Sequence, residues 1–174
     1  MRRVATYLGV FAVAAVVLQL FVFDSMRLSI YFSPLAYVGF VLLLPVNARP
    51  LTMLLLGFAT GVFVDVFEGT AGLHTAVTLW TAFSRRWVML LTLGRETVEE
   101  QTAMPSAKLL GGAKFLRYVA LAVAVHAMLC FSLEAETWGN YGQVATKALV
   151  SGAVTVWAVW ATSLVFTIKT RKKA

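Results

Sequence analysis

Apolar stretches separated by charged residues, glycines and prolines divide the chain at 6–23, 29–45, 51–67, 72–93, 115–133 and 148–168. A helix that crosses the hydrocarbon layer needs about 20 mostly apolar residues, and five of these stretches meet or approach that length without interruption. The 72–93 stretch is cut by Arg85 and Arg86, so its uninterrupted part, GLHTAVTLWTAF, has 12 residues. The two arginines are expected to snorkel to the interface, with WVMLLTL continuing along the membrane surface. The pattern predicts a single all-α integral membrane domain over residues 1–174, with six transmembrane helices. The N-terminus has the arginines and apolar run of a signal peptide. Its apolar part is long, however, and FVFDSMRLS offers no clear small-x-small cleavage site, so it is expected to be a retained first helix.

Composition agrees with the pattern. The chain is 60% hydrophobic and 13% charged, too little polar surface to cover a soluble domain of this size. The net charge of +7 would suit nucleic acid if the basic residues formed one stripe, but they sit at the ends of apolar runs. With both termini in the cytoplasm, Arg2, Arg3, Arg49, Arg85, Arg86, Arg95, Lys108, Lys114, Arg117, Lys169, Arg171, Lys172 and Lys173 lie inside and only Arg27 and Lys147 outside, 13 against 2. This is the positive-inside bias of a cytoplasmic membrane protein. Without the fourth span the C-terminal basic cluster would fall on the wrong face, so the bias selects six spans. The one cysteine, Cys130, permits no internal disulfide.

The connections are short except 94–114, GRETVEEQTAMPSAKLLGGAK, which is polar and of mixed charge. Pro105 and the Gly111–Gly112 pair argue against one long helix there. It is expected to be a solvated cytoplasmic linker, with a docking site for a cytoplasmic partner as the alternative. The outer connection 134–146 is mildly acidic, and its Trp138 and Tyr141 suit headgroup level.

The chemically unusual stretch is GFATGVFVDVFEGTAGLHTAVTLW, residues 57–80. Gly57, Gly61 and Asp65 are spaced i, i+4 and i+8 and share one helical stripe. Small residues four apart let membrane helices approach closely, so the carboxylate is expected in a helix seam, away from lipid. Asp65 lies ~21 Å along the span from Leu51, nearer the outer interface than the midplane. Gly69 and Gly72 suit a tight reversal, after which His74 returns at about the depth of Asp65. An unpaired ion in lipid costs at least ~2.5–3.5 kcal/mol, so Asp65 is expected to bond His74 first and His126, ~17 Å into the fifth span from Phe115, second. Two roles fit these three residues: a proton relay or ion site, and a polar clasp that fixes helix register. The clasp is preferred, because one acid near one interface is sparse equipment for a pump. Pro34 and Pro45 flank LAYVGFVLLL as helix-end or kink prolines. The chain contains no phosphate-binding Gly-rich loop, HExxH, CxxC or GxSxG, and no catalytic, cofactor-binding or metal-ligating residue is assigned.

Three segments together resemble the MreD family of bacterial rod-shape-determining membrane proteins, in particular its Bacteroidetes branch. They are SPLAY…LLLP, ending at Pro45; the Gly57–His74 hairpin, G-F-x-x-G-x-x-x-D-x-F-x-G-T-x-G-L-H; and Val125–Ala135, VHAMLCFSLEA. Proteobacterial relatives tend to carry Arg where His74 stands. The resemblance implies a non-enzymatic subunit of the cell-elongation machinery, without cofactors, in the cytoplasmic membrane. It implies binding to MreC and, indirectly, coupling to MreB, RodA and its transpeptidase. It also implies a six-helix fold similar to the substrate-binding components of energy-coupling-factor transporters. From that similarity comes the alternative function, a vitamin-type small-molecule binding subunit, although the outer loops offer few groups beyond Glu134, Glu136, Trp138 and Tyr141 to build a pocket.

Overall fold

The structure, a computed structural model, describes residues 35–135 and 141–165. Over these residues it is all-α, with seven helices: α1 (Val38–Leu42), α2 (Pro50–Glu68), α3 (Leu73–Leu93), α4 (Arg95–Glu100), α5 (Ala107–Leu110), α6 (Gly112–Glu134) and α7 (Tyr141–Val165). The predicted 6–23 span, Pro34 and Trp138 lie outside the described residues. Among the described residues three helices are long and apolar enough to cross a membrane: α2, α6, and α7 from Tyr141 to Leu164.

Local chemistry sets the helix ends. Pro50 occupies the first turn of α2, where its missing N–H costs nothing. At the other end Gly69 takes a φ of +69°, and Gly72 follows at +85°; these left-handed conformations are expensive for residues with a Cβ. The chain thus reverses within four residues, 69–72, and enters α3.

Helix α3 corrects one expectation. WVMLLTL is not a separate surface segment but the last third of one continuous 21-residue helix. Arg86 is exposed as expected, but Arg85 does not snorkel and is only 3% exposed. Its Nε donates to Tyr118 Oη at 2.9 Å, and its terminal nitrogens donate to the carbonyls of Leu42 (3.2 Å), Leu44 and Pro45 (3.4 Å). Tyr118 Oη in turn donates to the Leu42 carbonyl at 2.9 Å. The cause lies in the second predicted span. Its described part is helical only over the five residues of α1, after which the chain turns toward Pro45 and releases carbonyls deep in the protein. Bare carbonyls in apolar surroundings cost several kcal/mol each, and a guanidinium brings five N–H donors to one place.

The segment around α1 is the core of the bundle. Side chains from Leu35 to Leu44 are at most 7% exposed, and α1 touches α2, α3, α6 and α7. Around it α2 packs on α3, α3 on α6, and α6 on α7. Thr155 of α7 accepts the Leu35 N–H at 2.9 Å, which anchors the start of this segment. Large apolar side chains cover the outside of α2 and α3, among them Leu51, Leu55, Val66, Trp80, Phe83, Trp87 and Leu91.

The 94–114 connection is not a solvated linker. Val98 and Leu110 join the main hydrophobic cluster, Pro105 and Ser106 are buried, and the Val46 N–H donates to the Ala103 carbonyl at 3.1 Å. Apolar residues at 98, 104, 107 and 110, spaced three to six apart within a polar string, fold it back under the bundle. Its charged residues, including Arg95 and Glu99, stay on the exposed side.

The α2–α3 crossing depends on glycine. A Cβ on Gly61 would lie 2.4 Å from Thr75 Cα and 2.9 Å from Thr75 N, and one on Gly57 would lie 3.0 Å from Ala82 Cβ. Backbone cannot give way as a side chain does. We predict that Gly61→Ala lowers the thermal stability of the purified protein despite alanine's better helix propensity, by about 1–3 kcal/mol of overpacking. Gly57→Ala should cost less. Thermal unfolding in detergent checks this, and equal stability of wild type and Gly61→Ala would remove the close crossing.

Candidate functional site

Asp65 sits where the close crossing ends. Its backbone carbonyl accepts the N–H of Gly69, and that of Thr70 at 3.0 Å, which closes α2. Its side chain opens α3. Oδ1 accepts from the Thr70 hydroxyl (2.5 Å) and the His74 N–H (2.9 Å); Oδ2 accepts from the Thr75 N–H (2.9 Å) and the Thr75 hydroxyl (2.5 Å). His74 and Thr75 are the second and third residues of α3, whose first amides have no partners within the helix. Gly72, at the cap position, has no side chain to satisfy them, so the carboxylate does so from the preceding helix. A negative charge there also faces the positive end of the α3 dipole. The predicted seam position holds, and Asp65 is 7% exposed. The predicted partners change: Asp65 bonds the backbone of His74 instead of its imidazole, and His126 does not bond it.

The His74 ring turns away from Asp65 into the bundle. Its Nε2 lies 2.9 Å from Glu68 Oε2, and its Nδ1 lies 2.8 Å from Tyr37 Oη and 3.8 Å from Cys130 Sγ. Tyr37 Oη is also 3.0 Å from His126 Nε2. His126 Nδ1 lies 2.7 Å from Thr81 Oγ1, which lies 2.9 Å from the Val77 carbonyl. Both imidazoles meet the Tyr37 ring edge-on, with centroids 5.5 Å away. The result is one unbroken line of polar contacts: Glu68, His74, Tyr37, His126, Thr81, Val77. It begins at a side chain 31% exposed and ends among residues at most 3% exposed.

Sequence reasoning found Gly57, Gly61, Asp65, Gly69, Gly72, His74 and His126 but missed the groups that join them. Tyr37 had a signal, since a tyrosine hydroxyl within an apolar run needs a partner. Thr75 and Thr81 had little, because threonine in an apolar helix usually bonds its own backbone, as Thr78 does to the His74 carbonyl. Glu68 and Thr70 were passed over as part of the turn.

Among the described residues no buried side-chain nitrogen or oxygen lacks a partner, and none form a cluster of three or more metal-type ligands. An open depression of about 350 Å³ lies beside the hairpin, lined by Val62, Asp65, Val66, Gly69, Thr70, Gly72 and Thr75. Its one carboxylate already accepts four hydrogen bonds, so Asp65 is a structural acceptor here rather than a free base.

No family model, curated protein or solved structure matches the chain.

The geometry orders the variants at position 65. An amide accepts at one oxygen only, so Asp65→Asn turns its NH2 toward two of the four donors; Asp65→Leu leaves all four unmet. Each buried donor left unmet costs about 1–3 kcal/mol. We therefore expect thermal stability and membrane abundance to fall in the order wild type, Asp65→Asn, Asp65→Leu. A fully stable, fully abundant Asp65→Leu protein would contradict the cap.

Proposed function

We propose that this chain is a non-enzymatic membrane subunit of the MreD type. In this reading it crosses the bacterial cytoplasmic membrane six times with both termini inside. It binds the bitopic protein MreC and, through it, helps couple MreB filaments to RodA and its transpeptidase during cell elongation. The observation that carries the reading joins sequence to geometry. The three segments that resemble the family are far apart in the chain, yet each contributes one residue to a single contact: Tyr37, His74 and His126 meet at one hydroxyl. Tyr37 is 37 positions from His74 and 89 from His126. A shared motif set that converges on one buried junction is what a common fold requires.

The chemistry suits a scaffold. Among the described residues the buried polar groups are spent on one another, and large apolar side chains are exposed along α2, α3, α6 and α7. A subunit that works by binding other membrane proteins offers such flanks to a partner helix, where association rests on packing more than on hydrophobic expulsion. The alternative, a vitamin-type binding subunit, would need polar groups converging on a pocket. The depression beside Asp65 is open, and its carboxylate is already engaged.

Native membranes solubilised in mild detergent, with the tagged full chain pulled down and both proteins and small molecules identified by mass spectrometry, test the proposal. The expected outcome is co-purification with MreC, and rounding of a rod-shaped host on clean deletion. Normal rod growth without the gene and without a second copy would overturn it. A stoichiometric small molecule with no MreC would favour the transporter reading.

A further inference from the structure

We propose that the Glu68–His74 pair is a proton-binding site, and that the polar line behind it transmits occupancy of this site to His126 by reversing the direction of its hydrogen bonds. The inference rests on the hydrogen-bond geometry alone and holds whatever partner the protein has.

It follows from counting hydrogens. Each of three gaps, 2.8 Å from His74 to Tyr37, 3.0 Å from Tyr37 to His126 and 2.7 Å from His126 to Thr81, needs one hydrogen between its heavy atoms. Tyr37 and Thr81 have one hydroxyl hydrogen each, and a neutral imidazole has one N–H. Suppose the Glu68–His74 pair holds a single proton. Glu68 as a carboxylate can only accept, so the proton sits on His74 Nε2, 2.9 Å away. His74 Nδ1 is then bare and must accept from Tyr37. The Tyr37 oxygen must accept from His126 Nε2–H, which leaves His126 Nδ1 bare to accept from Thr81. Thr81 in this state cannot donate to the Val77 carbonyl.

Now let the pair hold two protons, either both on His74 or one on each partner. In both cases Nδ1 of His74 carries a hydrogen and donates to Tyr37. The tyrosine hydroxyl hydrogen is released to His126 Nε2, and His126 carries its proton on Nδ1 and donates to Thr81. Thr81 then donates to the Val77 carbonyl, the second contact its oxygen makes, at 2.9 Å. The balance is one proton taken up from solvent at the pair. His126 gives its Nε2 proton to water and takes one from water at Nδ1 when the bundle opens locally, so its charge is unchanged, and two hydroxyls rotate. The line ends on a backbone carbonyl, so it stores direction rather than conducting protons across the protein.

The surroundings of His74 fit a site loaded from one end. From α2 it faces Glu68, whose side chain is 31% exposed, while Asp65 holds its backbone N–H. From α6 it faces Cys130 and, through Tyr37, His126. The thiol can donate weakly to a bare Nδ1 or accept weakly from a protonated one, so it accommodates both directions. His126 is fully buried, and no acid bonds it; a change there must arrive through Tyr37 or Thr81.

The full chain, labelled with ¹⁵N-histidine and held in detergent or nanodiscs, gives a direct test. It has two histidines, and imidazole ¹⁵N shifts separate bare from protonated nitrogens. Across roughly pH 5 to 11, wide enough to carry an imidazole that lies 2.9 Å from a carboxylate through its transition, acidification should protonate His74 Nδ1 and move the His126 proton from Nε2 to Nδ1 at one shared midpoint. Glu68→Gln removes the carboxylate and should shift both transitions together to lower pH. Tyr37→Phe should leave His74 titrating and His126 unchanged. Should Tyr37→Phe fail to fold, the wild-type and Glu68→Gln titrations decide alone. A His126 that keeps one tautomer while His74 titrates, separate midpoints, no change in either ring, or a coupled change surviving in Tyr37→Phe would each overturn the proposal.

Discussion

A carboxylate among apolar helices persists only where every lone pair it turns from water is met by a donor, and Asp65 meets this condition with two backbone amides and two hydroxyls. The condition reaches well beyond the residue. Its donors lie in the first turn of α3, so α3 must start within about 3 Å of an oxygen carried by α2. That proximity requires the absence of a side chain at Gly61, where a Cβ would meet Thr75 backbone at 2.4 Å. It also requires a reversal short enough for Gly69 and Gly72, both at positive φ, to complete. Glycine stripe, carboxylate and turn are thus one device. With it in place the His74 ring is aimed inward at Tyr37 and α3 is fixed as the wall against which α6 packs.

The same rule operates at the other end of α1. There the chain breaks and frees carbonyls, where a carboxylate was the problem at the hairpin, and the remedy is correspondingly cationic: Arg85 and Tyr118 donate to Leu42, Leu44 and Pro45. Irregular backbone inside a membrane protein survives where protein donors replace water. Removing Arg85 would therefore cost more than its charge suggests, because several acceptors would lose their partner at once. The two remedies bracket the most buried segment among the described residues, Leu35–Leu44, and hold it between α3 and α6.

Periodicity and length made the long helices legible to within a few residues for α2 and α3, because apolar runs end where charge, glycine or proline ends them. The Gly57–Gly61–Asp65 stripe was legible for a related reason: a spacing of four defines a helical face whatever the fold. What stayed hidden was how segments distant in sequence combine. An apolar run such as LAYVGFVLLL reads equally well facing lipid or filling a core, and here it fills the core. Arg85 looked like an interfacial anchor because nothing local shows that Leu42, Leu44 and Pro45 will present carbonyls to it. The imidazole partners were hidden likewise, since Tyr37 precedes His74 by 37 positions and His126 by 89. The 94–114 string read as solvent-exposed because its apolar residues are sparse, yet a few at helical spacing suffice to dock it.

In physical terms the bundle is one in which buried polar groups set geometry while large apolar side chains stay on the outside, and the hairpin at Asp65 is the part on which that geometry turns. Amide hydrogen exchange at His74 and Thr75 tests it most directly. Second and third amides of a helix are ordinarily orphaned and exchange quickly. The account predicts that both are protected to the level of mid-helix α3 amides such as Thr78, and that substituting Asp65 with leucine removes this protection while leaving Thr78 slow. Rapid exchange at His74 and Thr75 in the wild-type protein, or protection that survives loss of the carboxylate, would contradict it.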